Sequence, residues 1–76
     1  MTAGEIIRAK RKECGLTLEE VGNKIGYQKS GISKIEKDDR MPRREALTKL
    51  SHLLNFTECE YLQLLLAYAP FDGVPK

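Results

Sequence analysis

The side chains in this sequence whose types and spacing suggest a chemistry are cationic hydrogen-bond donors. Lys29, Lys34, Lys37, Arg40, Arg43 and Arg44 lie in one short stretch, interleaved with Tyr27, Gln28, Ser30 and Ser33. The net charge of +2 hides an uneven distribution. Residues 1–44 carry 11 Lys/Arg against 7 Asp/Glu, while residues 45–76 carry 2 against 4. Cations gathered on one part of a surface suit a polyanion, and only the front of this chain offers them. Catalysis has little to work with. His52 is the lone histidine, and there is no carboxylate pair, Ser-His-Asp set, phosphate loop or metal cluster. The chain therefore reads as a non-enzyme with no cofactor and no metal. Cys14 and Cys59 stand 45 residues apart, which is neither a CxxC nor a zinc spacing. Reduced thiols in the cytoplasm are the simplest reading.

The chain has 76 residues, which make one domain. Such a domain buries only roughly 60% of its unfolded surface, so a deep catalytic cavity does not fit. The longest apolar run, Leu64 to Ala69, is far short of a membrane span. No charged-then-apolar presequence is evident, so export is not expected.

The elements that must hold the donors read as short helices. No stretch alternates long enough to suggest a strand. Three capping boxes open amphipathic segments: Thr2 with Glu5, Thr17 with Glu20, and Thr57 with Glu60. Ser33 and Glu36 have the same spacing but fall inside a helix. Helix 1 is expected from Ala3 to Glu13, ended by Gly15, with Ala3, Ile7 and Cys14 inward. Helix 2 runs from Leu18 to Ile25, ended by Gly26, with Leu18, Val21 and Ile25 on one stripe. Helix 3 spans about Lys29 to Lys37, with Ile32 and Ile35 inward. Helix 4 takes Pro42 in its first turn and continues to Leu54, where Asn55 stops it; His52 falls on it, half-exposed or packed. Helix 5 spans Glu58 to Tyr68 and ends before Pro70. Residues 1–70 thus form the domain and 71–76 a tail, in an all-α five-helix bundle.

Helices 2 and 3 are joined by a tight turn, Gly26-Tyr27-Gln28. Two short helices across a turn of this kind are the sequence form of a helix-turn-helix. Gly22, midway along helix 2, permits a close crossing, and Ile32 and Ile35 anchor the second helix from below. The residues opposite those anchors are Gln28, Lys29, Ser30, Ser33 and Lys34.

The segment Leu16 to Pro42 resembles the phage-repressor/Cro-type helix-turn-helix family. Leu16, Thr17, Glu20, Gly26, Ser30, Ile32, Ser33, Ile35, Glu36, Arg40 and Pro42 fit that family's pattern in order and spacing. Arg11 fits its helix 1 arginine, and the likeness spans about residues 3–68. It implies a sequence-specific regulator of transcription that binds double-stranded DNA, most often a repressor acting as a homodimer on a palindromic operator. The second motif helix would enter the major groove. Gln28, Lys29, Ser30, Ser33 and Lys34 would then face base edges, the lysines donating to guanine and Gln28 pairing with adenine. Tyr27, Lys37, Arg40, Arg43 and Arg44 would hold phosphates, which adds affinity without sequence preference. Arg11 and Glu36 would form a structural ion pair tying helix 1 to the end of helix 3.

The chain departs from the pattern in several places. Leu18 stands where many relatives have a phosphate-binding Gln. Gly22 replaces an Ala, at a cost of ~1 kcal/mol in helix propensity. Tyr27-Gln28 replaces Val-Ser, removing the usual cap of the recognition helix and leaving a half-buried tyrosine whose hydroxyl is free for a phosphate. Asp38 replaces a Gly, in a position that favours left-handed backbone. Gly31 offers no side chain to a base and adds flexibility. Helix 5 is more apolar than one buried stripe requires. Tyr61, Leu62, Leu65 and Tyr68 are expected to form a dimer interface, or, in an antitoxin-like alternative, to bind another protein.

Overall fold

A computed structural model describes the backbone of residues 2–72 and the side chains of residues 2–68. Five helices follow one another: α1 Ala3–Glu13, α2 Leu18–Ile25, α3 Lys29–Glu36, α4 Arg44–Leu53 and α5 Glu58–Asp72. Helix α2 packs against α3 and α4, and α1 packs against α3 and α5. The shared core contains Ile7, Val21, Ile32, Ile35, Leu50, Leu54 and Leu64, all fully buried.

The helix starts follow from local chemistry. At each of the three capping boxes the threonine hydroxyl accepts from the glutamate N–H, and the glutamate carboxylate accepts from the threonine N–H. These bonds satisfy donors that a helix N-terminus otherwise leaves open. The last box also ties α5 to α1. Lys10 Nζ lies 3.0 Å from Glu60 Oε2 and 5.6 Å from the centroid of the Phe56 ring. The backbone N–H of Thr57, then Lys10, holds the Glu60 carboxyl below the usual carboxylate range.

The stops are equally local. Gly15 and Gly26 have positive φ, as do Asp38 at 64° and Asn55 at 57°. Asp38 does more than tolerate this backbone. Its Oδ1 accepts from the N–H of Gly4 at 2.9 Å, satisfying a first-turn donor of α1 that a glycine in its place could not reach.

Some boundaries and placements differ from expectation. Pro42 is buried and lies before the cap of α4, not within its first turn; Arg43 is the cap and Arg44 the first helical residue. Lys37 caps α3 rather than extending it, and Leu54 does the same for α4. Helix α5 continues through Pro70 to Asp72. A proline late in a helix withholds one N–H and disturbs one turn, and here that does not end the helix. Phe71 and Asp72 therefore belong to α5, and the rest of the expected tail lies outside the described residues. His52 is exposed, and Cys14 is half-buried with its thiol 3.6 Å from the carbonyl of Leu54.

Tyr68 is the largest departure. Expected on a partner surface, it is only 4% exposed and its hydroxyl has no hydrogen-bond partner among the described residues. Burial, and secondarily the charge of Asp38, push its phenol above the usual tyrosine range. The side chain that α5 presents instead is Leu66, 70% exposed, beside Leu62 and Leu65. A helix places i, i+3 and i+4 on one face, so these three leucines form a single apolar stripe, with Leu65 at its border with the buried Tyr68.

Candidate nucleic-acid interface

The motif is built from α2, its turn and α3. Gly26 takes a left-handed conformation at φ 82°, and the Tyr27 N–H reaches back 2.8 Å to the carbonyl of Gly22. The turn lies so close on α2 that a Cβ at Gly22 would stand 2.5 Å from the Tyr27 carbonyl oxygen. The alanine common at this position in relatives therefore has no room here. The glycine permits the closer approach and offsets its own helix cost by doing so.

Ile32 and Ile35 are buried against the core. That fixes the rotation of α3 and turns Lys29, Ser30 and Lys34 outward, and these three and Gln28 at the cap are all exposed. Ser33 is only half exposed, on the flank of that face. Gln28 caps α3 through its backbone alone, with no side-chain bond. The first-turn N–H groups thus have no side-chain acceptor, and the helix dipole favours an anion there.

Two open clefts flank α3. One, of about 330 Å³, brings together Tyr27, Gln28, Ser30, Gly31, Arg40 and Arg43. The other, of about 240 Å³, is lined by Arg8, Leu18, Ser33 and Lys37 with the Arg11 and Glu36 side chains. The five expected phosphate residues therefore do not form one group. Tyr27, Arg40 and Arg43 share the first cleft, Lys37 belongs to the second, and Arg44 lies exposed on the first turn of α4. Arg8 was not legible as a member. Its one sequence signal is its spacing of three from Arg11, which puts both on one face of α1. It stands beside Leu18, where many relatives have their phosphate-binding Gln.

The Tyr27 hydroxyl is not free. It accepts from the backbone N–H of Arg43 at 3.3 Å, and the Arg40 guanidinium lies 4.9 Å from the ring centroid. Gly31 is buried beneath the two side chains. It is a packing position, not a flexible one.

The Arg11–Glu36 pair forms as expected and is two-pronged. Nε donates to Oε2 at 2.6 Å and Nη2 to Oε1 at 3.2 Å, while Nη1 reaches the Leu16 carbonyl at 2.8 Å. The side chains are 12% and 7% exposed. The pair joins α1, the loop before α2 and the C-terminal end of α3. Among the described residues no three His, Cys, Asp or Glu side chains are placed to hold a metal ion.

A family model described as helix-turn-helix matches residues 7–62. The chain belongs to the phage-repressor/Cro-type helix-turn-helix family. The match runs from α1 into α5 and contains the whole motif. A comparison with curated proteins returns no match. Helix-turn-helix proteins of this type bind double-stranded DNA and regulate transcription, and this domain is a DNA-binding transcription regulator of that class. No helix among the described residues is long and apolar enough to cross a membrane.

Proposed function

We propose that this helix-turn-helix domain is a repressor that binds a palindromic operator as a homodimer, with α3 in the major groove. The observation that carries the reading is the outward face of α3. Lys29, Ser30 and Lys34 share it, turned away from Ile32 and Ile35, Gln28 is exposed at its cap, and a cleft with basic walls lies on each flank. A helix seated in the major groove has a phosphate strand on either side, and this arrangement offers cations to both. Lys29 and Lys34 donate to guanine O6 and N7, Gln28 pairs with adenine, and Ser30 and Ser33 make shorter contacts. Tyr27, Arg40, Arg43 and Arg44 hold one strand, and Lys37 with Arg8 holds the other. The positive end of α4, where Arg43 is the cap, adds to the first set.

Selection of bound sequences from a random duplex pool near physiological salt tests the reading. A palindrome with half-sites about one turn, ~34 Å, apart is the expected product. Failure to enrich any sequence would refute sequence-specific binding by the isolated domain. Lys34→Ala should then weaken the selected operator by about 1–3 kcal/mol and relax preference at one base position. Arg43→Ala should weaken all duplexes alike and lower the salt slope by about one. Indistinguishable effects of the two on random DNA would remove the division between base and phosphate contacts.

The dimer rests on α5. Leu62, Leu65 and Leu66 form the apolar stripe, with Tyr61 half-buried beside it. Leu66→Glu is expected to leave the fold intact, because the side chain is outside the core, and to convert the dimer to monomer in sedimentation equilibrium. An unchanged dimer would place the interface elsewhere. A monomer before any substitution would favour the antitoxin-like alternative, in which the same leucines meet another protein.

A further inference from the structure

We propose that Tyr27 is a positioning residue. Its ring holds Arg40 across α3, and its hydroxyl holds the start of α4, so that the cleft between them is a preset seat for one phosphodiester group. The proposal rests on the DNA-binding reading above and adds which residue builds the seat and how.

Three observations support it independently of the family pattern. The Arg40 guanidinium lies 4.9 Å from the Tyr27 ring centroid, within range of a cation–π contact. The Tyr27 hydroxyl accepts from the Arg43 N–H at 3.3 Å, so its own proton remains to donate. Gly31 makes room for the arrangement: a Cβ there would stand 3.2 Å from Arg40 Nη1 and 3.4 Å from Tyr27 Cδ2. A position on the recognition helix that offers nothing to a base thus leaves the loop arginine room to lie close against that helix.

The chemistry matches a phosphodiester. The cleft, about 330 Å³, is lined by Tyr27, Ser30, Gln28 and the two arginines, and no acidic side chain among the described residues lines it. An arginine on a flexible loop loses rotamer freedom when it clamps a phosphate. An arginine already stacked on a ring has lost part of that freedom beforehand, so less is lost on binding. The seat also joins segments far apart in sequence: the motif turn, the loop after α3 and the cap of α4. A phosphate bound there therefore fixes α3 relative to α4.

The test is a double-mutant cycle on duplex affinity, read by fluorescence anisotropy with a labelled duplex and with circular dichroism showing every variant folded at the assay temperature. Arg40→Gln is expected to weaken binding about 10-fold and to lower the salt slope by about one. Tyr27→Leu should weaken it about 3- to 5-fold with Arg40 present and clearly less in the Arg40→Gln background, where only the share of the hydroxyl is left to lose. Tyr27→Phe keeps the ring and should retain the coupling to Arg40. Gly31→Ala provides a route that leaves Tyr27 in place. It should weaken binding only while Arg40 is present, and it covers the case in which Tyr27→Leu does not fold. Equal losses in both backgrounds would mean that the ring acts on the fold alone and would overturn the proposal, as would an Arg40→Gln variant that binds normally. An unsubstituted domain that binds no duplex would overturn the DNA-binding reading and this one together. Binding with additive effects would overturn this one alone.

Discussion

Arg11→Ala is expected to destabilise the domain by about 3–5 kcal/mol. The substitution removes both prongs of the contact to Glu36 and the bond to the Leu16 carbonyl. It leaves a carboxylate only 7% exposed without a cation beside it. An uncompensated charge at such a site loses hydration that nothing replaces, which is why removing one partner costs far more than the pair contributes. A chain of 76 residues has only about 4–11 kcal/mol of total stability, so the loss is a large share of it. Urea unfolding followed by circular dichroism measures it directly. In a thermal melt the midpoint should fall by about 12 °C or more. Replacing both partners, Arg11→Met with Glu36→Leu, should recover most of the loss because no charge is then left buried. A single variant within 1 kcal/mol of the unsubstituted domain would show that water reaches the pair. Because Glu36 ends α3, the same variant should also weaken DNA binding at temperatures where it stays folded.

The second large effect is expected at Gly4. Alanine is the better helix former by about 1 kcal/mol, and on propensity alone Gly4→Ala should stabilise α1. The packing opposes this. A Cβ at Gly4 would overlap the carbonyl oxygen of Glu36 and stand 2.7 Å from both the Glu36 carbonyl carbon and the Ile35 oxygen. All three are backbone atoms at the end of α3, held by their own helix, and cannot swing aside as a side-chain tip would. Overpacking of this kind typically costs 1–3 kcal/mol and can exceed that. We expect a net loss of about 2 kcal/mol, with part of the strain appearing as lost contact between the Gly4 N–H and Asp38. Chemical denaturation gives the net value, and hydrogen exchange at the first turn of α1 reports where the strain goes. A variant as stable as the unsubstituted domain would mean that α1 slides along α3 at little cost. Gly22→Ala, facing the Tyr27 carbonyl at 2.5 Å, should follow the same rule.

These two effects differ in how visible they are in the sequence. The Arg11–Glu36 pair was legible through the family resemblance, because both residue types stand at positions that match it. Gly4 carried no signal, because its constraint comes from backbone atoms more than 30 residues away. The groove-facing set was legible from periodicity. Once Ile32 and Ile35 point inward, the turn of a helix decides where Lys29, Ser30 and Lys34 point, while Gln28 is the cap with extended backbone and follows no helical period. Which cations cluster was not legible. Lys37 and Arg40 are three apart in sequence, yet they line opposite flanks of α3 because the chain turns at Asp38.

The residue order sets helix starts and stops wherever the deciding interactions are short-ranged. The capping boxes, the left-handed Gly15, Gly26, Asp38 and Asn55, and the apolar stripes of α1 to α4 each depend on neighbours within about one or two turns, and these elements came out close to expectation. Even there, Pro42 and Pro70 show the limit: a proline lowers the odds of a helical turn but does not say on which side of it the helix lies. Contacts between distant segments were decided only by the folded arrangement. Tyr27 stacks under an arginine 13 residues on, Asp38 caps a helix that begins 35 residues before it, and Tyr68 goes into the core while Leu66 stays in water. Helix α5 is apolar on more than one face, so its own pattern does not choose which side turns inward. The surface presented by α1 makes that choice, and it exists only once the other helices have packed.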